Sequence, residues 1–335
     1  MQNTLPAVHI LKILLPAGIL LALPKLANAT IYAALDNGEE QSTAASSAAA
    51  PYGDPGFNNV GLLNSASCVY LGTYATGSWV ISARHVWEEN SSVSTVVFGG
   101  TTYGIAPDSC TVLANPNQNI SDLCIFRVDG SIASNVALHN LSIIENTPPV
   151  GTYVRMIGNG DGRDGTLRYW DATWAETTQA SAVTLGFNLT SGRKVRWADN
   201  SVASTNISLD DGTVTFWTLF GEINQGSISL GLGQGQATSG DSGGATFAYV
   251  NNEWVLAGIL EAVGSILTSS PGTPMDRVFM GEITASADLS IYREQIMTAI
   301  PEAGTLIPLV IAGACAVALR RHRRKQTRPM QQREG

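Results

Sequence analysis

Between Phe57 and Asp288 the chain never sustains the 3.6-residue apolar period of an amphipathic helix. Short runs rich in Val, Ile, Thr and Tyr alternate instead with Gly, Asn and Asp, as in VSTVVFGGTTYGI at 93–105 and GTVTFWTLFGEI at 212–223. β-Branched and aromatic side chains suit a pleated, half-buried surface, and Gly, Asn and Asp turn the chain between such runs. The pattern predicts an all-β sandwich or barrel. Helical spacing enters only in TASADLSIYREQI at 284–296, where Leu289, Tyr292 and Ile296 recur at three and four residues, which predicts one C-terminal helix. The 335 residues exceed a typical domain, yet β-rich proteins of about 200–250 residues are ordinary single units, and here the two ends account for the excess.

Within this pattern, residues 240–244 read GDSGG. In a chain with 34 Gly such a cluster serves as a surface turn, since glycine takes positive φ freely and Asp and Ser favour turns. The sharper reading makes Ser242 a nucleophile on a tight turn, with the N–H groups of Gly240 and Ser242 able to hold an oxyanion. A serine hydroxyl is a poor nucleophile, so it needs a base and a carboxylate that orients the base. Of the four histidines, His9 lies in an N-terminal apolar segment and His322 in a basic tail. His139, in VALHNLS, has apolar neighbours and reads as a packing residue, whereas His85 closes the β-prone run GSWVISARH. Asp122 opens SDLCIFRV after the loop-like NPNQNIS, at a loop-to-strand junction where a carboxylate can meet an imidazole N–H away from water.

WVISARH, DLCIFRV and GDSGG, in that order, resemble the His, Asp and Ser segments of the chymotrypsin/trypsin-like serine proteases. The resemblance spans about residues 57–300. It implies two six-stranded antiparallel β-barrels, at about 57–149 and 150–285, joined near Pro148-Pro149 and followed by a C-terminal helix. It further implies His85 as general base, Asp122 as orienting carboxylate, Ser242 as nucleophile and the Gly240 and Ser242 amides as oxyanion hole. Gln236, six residues before the serine, would floor the substrate pocket, with Glu261 and Val263 of VLAGILEAVG as its walls. A neutral floor and a narrowed opening suit a small or uncharged side chain. The implied activity is hydrolysis of peptide bonds in a protein or peptide substrate through an acyl-enzyme. The alternative is a non-catalytic β-domain of the same fold that binds an extracellular polymer or protein. An esterase of the α/β-hydrolase kind would show G-x-S-x-G and a later histidine, and here only tail residue His322 follows Ser242.

The chain also departs from that family. Val86 and Thr238 stand where relatives carry disulfide-bonded cysteines, and Cys68, Cys110 and Cys124 allow at most one internal bridge, with no pairing assigned. No Ile-Val-Gly-Gly-like stretch precedes His85 to supply an ammonium for Asp241, so some cation, amide cluster or alternative N-terminus must satisfy that carboxylate.

The ends direct the chain outward. Residues 1–29 combine Lys12, an apolar stretch to Leu23 and Ala27-Asn28-Ala29, the pattern of a signal peptide cleaved after Ala29 by signal peptidase. Residues 30–56 include the Ala/Ser-rich NGEEQSTAASSAAAPYGDPG and read as a linker or pro-segment. Residues 301–325 hold Pro301-Glu302, 17 residues from Ala303 to Leu319 at the lower edge of a membrane span, and a run of arginines; residues 326–335 complete a basic cytoplasmic tail. This tripartite end resembles the bacterial PEP-CTERM sorting signal read by an exosortase, and it implies a secreted or cell-envelope protein held at the inner membrane by its C-terminus, transiently or lastingly. Between residues 30 and 300 there are 10 basic and 25 acidic residues, which argues against nucleic acid as a partner. No Cys or His cluster has metal-ligand spacing and no glycine loop precedes a helix to cradle phosphate, so no metal and no cofactor is expected. GNGDGRDG at 158–165 reads as a hairpin turn, with a structural calcium ion as the lesser alternative.

Overall fold

The computed structural model describes residues 31–32, 52–89, 94–130, 132, 137–224, 227–229, 234–265 and 276–300. The signal-peptide and sorting-tail expectations therefore lie outside the described residues. The architecture is all-β: two antiparallel barrels and a C-terminal helix, the trypsin-like β fold.

The first barrel uses β1 (Val60–Leu63), β2 (Ala66–Tyr74), β3 (Gly77–Ala83), β4 (Thr95–Phe98), β5 (Thr101–Gly104) and β7 (Ile120–Val128), with β6 (Thr111–Ala114) on the outer edge of β7. Their order is β5-β4-β1-β2-β3-β7-β6, and a bridge between Ile105 and Val128 brings the end of β5 back to β7, which closes a ring of six. A helical turn, α1 (Arg84–Glu88), follows β3. The second barrel uses β8 (Tyr153–Arg163), β9 (Thr184–Ser208), β10 (Val214–Leu219), β11 (Ala245–Val250), β12 (Glu253–Ser265) and β13 (Glu282–Asp288). Here β8 pairs with both β11 and β9, so the ring β9-β10-β13-β12-β11-β8 returns on itself. Closure removes the unpaired edges that an open sheet would leave.

Period two within the strands explains the solid apolar look of WVISA and DLCIF. On β7, Cys124, Phe126 and Val128 point into a cluster to which all six strands of the first ring contribute. Leu123 and Ile125, alternating with them, point the other way, into a second cluster. That second cluster also takes Trp79 and Ile81 of β3, Ile157, Phe247 and Ile259 of the second barrel, and Leu289, Tyr292 and Ile296 of the helix. Both faces of these strands are buried, so alternation with polar residues is lost. The same cluster fixes the two barrels against each other, and with them the groups they carry.

The helix is α2 (Leu289–Ala299), capped by Asp288, whose carboxylate accepts from the Ser290 N–H. Its buried residues are the three that the spacing singled out. GNGDGRDG is not a turn: residues 158–163 belong to β8 and pair with β9 in register from Gly158↔Arg196 to Arg163↔Leu189, across one irregularity. Its glycines leave room for side chains from elsewhere, as described below. Parts of 30–56, read as a linker, are bound to the second barrel. Ile31 and Tyr32 pair with Gln236 and Gly235. Tyr52 stacks on Tyr249 with ring centroids 3.9 Å apart, while its carbonyl and that of Gly53 accept from Trp254 Nε1 (2.9 Å) and Arg155 (2.6 Å). Among the described residues, no helix is long and apolar enough to cross a membrane.

Candidate active site

Register delivers the first two groups. Ala83, the last residue of β3, pairs with Leu123 of β7, so the residue preceding Leu123 and the turn following Ala83 are neighbours. That turn is α1, held by Val86, which is buried in the first barrel, and by Trp87, whose ring lies 5.0 Å from that of Phe126. His85 thus faces Asp122. The His85 backbone N–H donates to Asp122 Oδ1 at 2.8 Å, and Nδ1 lies 2.5 Å from Oδ2. An ionised carboxylate only accepts, so Nδ1 carries the hydrogen and Nε2 presents its lone pair. Nε2 lies 2.8 Å from Ser242 Oγ, contributed by the second barrel. Burial pushes the Asp122 carboxyl upward, but the hydrogen bonds from His85, with the neighbouring Glu261 carboxyl, outweigh it and hold the group below its ordinary value.

Ser242 sits in a turn that only glycine permits at two places. Gly240 (φ 102°) and Gly243 (φ 80°) both lie in the left-handed region. A Cβ on Gly243 would overlap Ser82 Oγ and the Ser67 carbonyl of the first barrel. This close approach is used for bonding. The Ser67 N–H donates to the Ser242 carbonyl (2.9 Å), and Ser67 Oγ donates to the Gly240 carbonyl (2.8 Å) while accepting from the Asn159 N–H (2.8 Å). Ser82 Oγ in turn donates to the Ser67 carbonyl at 2.8 Å. Within the turn, the N–H groups of Asp241, Gly243 and Gly244 are all donated to carbonyls. Among the described residues, those of Gly240 and Ser242 are in no internal hydrogen bond, which leaves two donors to serve an incoming oxygen.

Asp241 is fully buried, and its carboxylate packs so tightly on Gly158 of β8 that a side chain there would overlap it. Of the cation, amide cluster or alternative N-terminus that the sequence called for, a cation acts on this carboxylate: the charges of Asp241 and of the Arg196 guanidinium of β9 interact. Burial lowers the Arg196 guanidinium and the charges of Asp241 and Asp161 oppose that shift, while its NH1 and NH2 donate to the Gly160 and Gly192 carbonyls at 3.1 Å each. Arg193 fastens the other side of the turn through Asp161 Oδ1 (3.1 Å), the Ser65 carbonyl (3.0 Å) and Ser239 Oγ (2.8 Å). Val86 and Thr238, at positions expected to hold cysteines, are both buried, and Thr238 Oγ1 donates to the Asp161 carbonyl (3.1 Å), so packing and hydrogen bonding stand where bridges would.

The pocket residues differ from expectation in detail. Gln236 is fully buried, with Nε2 donating to the Ile283 carbonyl (3.2 Å) and Oε1 accepting from Thr284 Oγ1 (3.1 Å), so its amide is committed to β13. Val263 packs with Met156, Ala237 and Leu260, an apolar group. Glu261 was the other expected wall. Its buried carboxyl lies beside Asp122 and His85, with one ligating atom from each of the three within 4.8 Å of the others. Cys110 and Cys124 are free thiols that influence each other's ionisation, and Cys68, also a free thiol, lies buried elsewhere in the first barrel. His139 stands apart, its N–H and carbonyl both bonded to the Asn59 amide.

Sequence reasoning missed Ser67, Ser82, Arg193, Arg196 and Thr213, whose Oγ1 accepts the Asp122 N–H at 2.8 Å. None belongs to a local motif, and each reaches a partner at least 15 residues away in sequence.

No protein-family model and no curated protein matches the chain. Among solved structures, a double mutant of human heparin binding protein (CAP37) is similar at 15% identity and a TM-score of 0.46, over 74% of this chain and 94% of that one. Human heparin binding protein itself aligns at 16% identity and a TM-score of 0.43, over 72% and 91% of the respective chains.

Proposed function

We propose that the protein is a serine endopeptidase that hydrolyses peptide bonds through an acyl-enzyme on Ser242. The observation that carries this reading is the unbroken contact from Asp122 through both nitrogens of His85 to Ser242 Oγ. In the first step Ser242 Oγ attacks the scissile carbonyl carbon while its proton passes to His85 Nε2, and Asp122 stabilises the imidazolium through Nδ1–H. The tetrahedral oxyanion accepts from the Gly240 and Ser242 N–H groups. On collapse His85 returns the proton to the leaving amine. The same imidazole then activates water, and hydrolysis of the ester frees Ser242 for a new cycle. The apolar group of Met156, Ala237, Leu260 and Val263, with the Gln236 amide turned away, supports preference for a small or uncharged side chain before the cleaved bond.

The test is covalent labelling with a fluorophosphonate, which traps a serine only where its proton can be removed. Modification of Ser242 in the wild type and its loss in His85→Ala are expected. Absence of labelling in the folded protein overturns the reading and leaves a binding domain of the same fold. The termini support export to the cell envelope, with signal peptidase acting after Ala29 and an exosortase-type enzyme on the tail. Sequencing both ends of the mature protein checks this; intact residues 1–29 would refute it.

A further inference from the structure

β9 carries an irregularity beside the nucleophile turn. Thr190 pairs with Gly162 of β8 and Lys194 with Gly160, so three residues, Ser191, Gly192 and Arg193, stand against Asp161 alone. A bulge turns a side chain out of the regular alternation, and bulges gather next to active sites. This one sends the Arg193 guanidinium to Gly240: a Cβ on that glycine would stand 3.2 Å from Arg193 Cζ and 3.3 Å from Nε. Gly240 supplies one of the two N–H groups left for the oxyanion. A positive charge therefore lies against the oxyanion hole, and water reaches it, for 33% of the Arg193 side chain is exposed.

The hydrogen bonds of Arg193 leave capacity for a ligand. A guanidinium has five N–H donors. Among the described residues, Arg193 uses one from each nitrogen: Nε to Asp161 Oδ1, Nη1 to the Ser65 carbonyl and Nη2 to Ser239 Oγ. One N–H remains on each terminal nitrogen, and a carboxylate accepts such a pair with its two oxygens. Asp161 holds the guanidinium without closing it, since an ion pair in contact with water is well screened. The same contacts fix the side from which a substrate meets Arg193. The apolar group of Met156, Ala237, Leu260 and Val263, proposed to take the side chain before the cleaved bond, shares no residue with them. Ser65, by contrast, lies in the β1–β2 turn of the first barrel, the barrel whose His85 is to return a proton to the leaving amine. We propose that Arg193 is a specificity-determining residue, which binds an acidic side chain carried by one of the two substrate residues after the cleaved bond. The side of the bond it serves rests on the endopeptidase reading; capture of a carboxylate beside Gly240 does not.

The experiment measures a ratio, because Arg193 also fastens the nucleophile turn and its loss slows every substrate alike. Internally quenched peptides share alanine before the bond and carry Glu, Gln or Lys at the first or second position after it. At one of these positions the wild type should cleave the Glu peptide with a kcat/KM at least about threefold above that of the Gln peptide, and the Lys peptide slowest. That ratio should fall to within about 1.5-fold in Arg193→Gln, turn in favour of Lys in Arg193→Glu, and shrink in the wild type as salt rises. A ratio absent from the wild type, or one that persists in Arg193→Gln, overturns the proposal. Calorimetry then titrates the Glu and Gln peptides into Ser242→Ala, with and without Arg193→Gln. The Glu peptide should bind at least about threefold more tightly than the Gln peptide, and only where Arg193 is present. Equal binding, or binding of neither peptide, overturns the proposal. Acid preference in binding without any hydrolysis leaves this inference standing and ends the endopeptidase reading; hydrolysis without acid preference does the reverse.

Discussion

Replacing Ser67 by alanine removes one hydroxyl, outside the triad, that links the first barrel to the nucleophile turn. That hydroxyl donates to the Gly240 carbonyl and accepts from the Asn159 N–H, each at 2.8 Å, and the residue is fully buried. Alanine leaves both backbone groups without this partner in a site closed to water. An unsatisfied buried polar group costs about 1–3 kcal/mol, so the two together predict about 2–4 kcal/mol of destabilisation after partial relaxation. The lost bond also frees the carbonyl of the residue whose N–H is to hold the oxyanion. A displacement near 1 Å at such a group costs on the order of 100-fold in rate. Urea unfolding gives the stability term, and kcat/KM on a chromogenic peptide substrate gives the kinetic one. The fall should lie in kcat, because the ground-state carbonyl makes little use of the oxyanion donors. A loss below about 0.5 kcal/mol together with kcat/KM within about twofold of the wild type would refute the bracing role.

Glu282 gives a pH-dependent prediction. Burial pushes its carboxyl well above the usual range, opposed by the Phe279 N–H, so the folded chain keeps a proton that the unfolded chain releases above about pH 4.3. The unfolded state then binds fewer protons, and stability falls as pH rises from there through the folded-state value. Glu282→Gln should gain stability over the wild type at neutral pH and lose that advantage near pH 4, read as the urea midpoint; an equal difference at both pH values contradicts the sign. Thiol reactivity gives another. The neighbouring Cys124 thiol lowers the Cys110 thiol and burial raises Cys68, so iodoacetamide on the reduced, folded protein should label Cys110 first. Labelling of Cys68 at the same rate would show the first barrel to be open.

The legible part of the site was its local part. GDSGG, WVISARH and DLCIFRV are short, because a strained glycine turn and two neighbouring strand ends are built from adjacent residues, and the spacing of Leu289, Tyr292 and Ile296 carried the helix. The glycines of 158–162 misled for a physical reason. Turn composition and close backbone approach both call for glycine, and here Gly158 makes way for Asp241 while Gly162 makes way for Arg196 and Thr190. Glu261 stands at a bulge of β12, and bulges, which shift the faces of a strand by one residue, have no sequence signature of comparable strength. Ser67 acts across the barrels and Arg196 from a separate strand of the second barrel, where no spacing rule reaches.

The central claim is that Ser242 forms an ester with substrate because His85 takes its proton. Rapid mixing with a nitrophenyl ester of a small apolar acyl amino acid tests it most directly. The account predicts a burst of nitrophenol equal to one per folded chain, with the acyl mass found on Ser242, and no burst in His85→Ala or Ser242→Ala. A burst that survives in Ser242→Ala, or steady hydrolysis with no acyl group on residue 242, would contradict it.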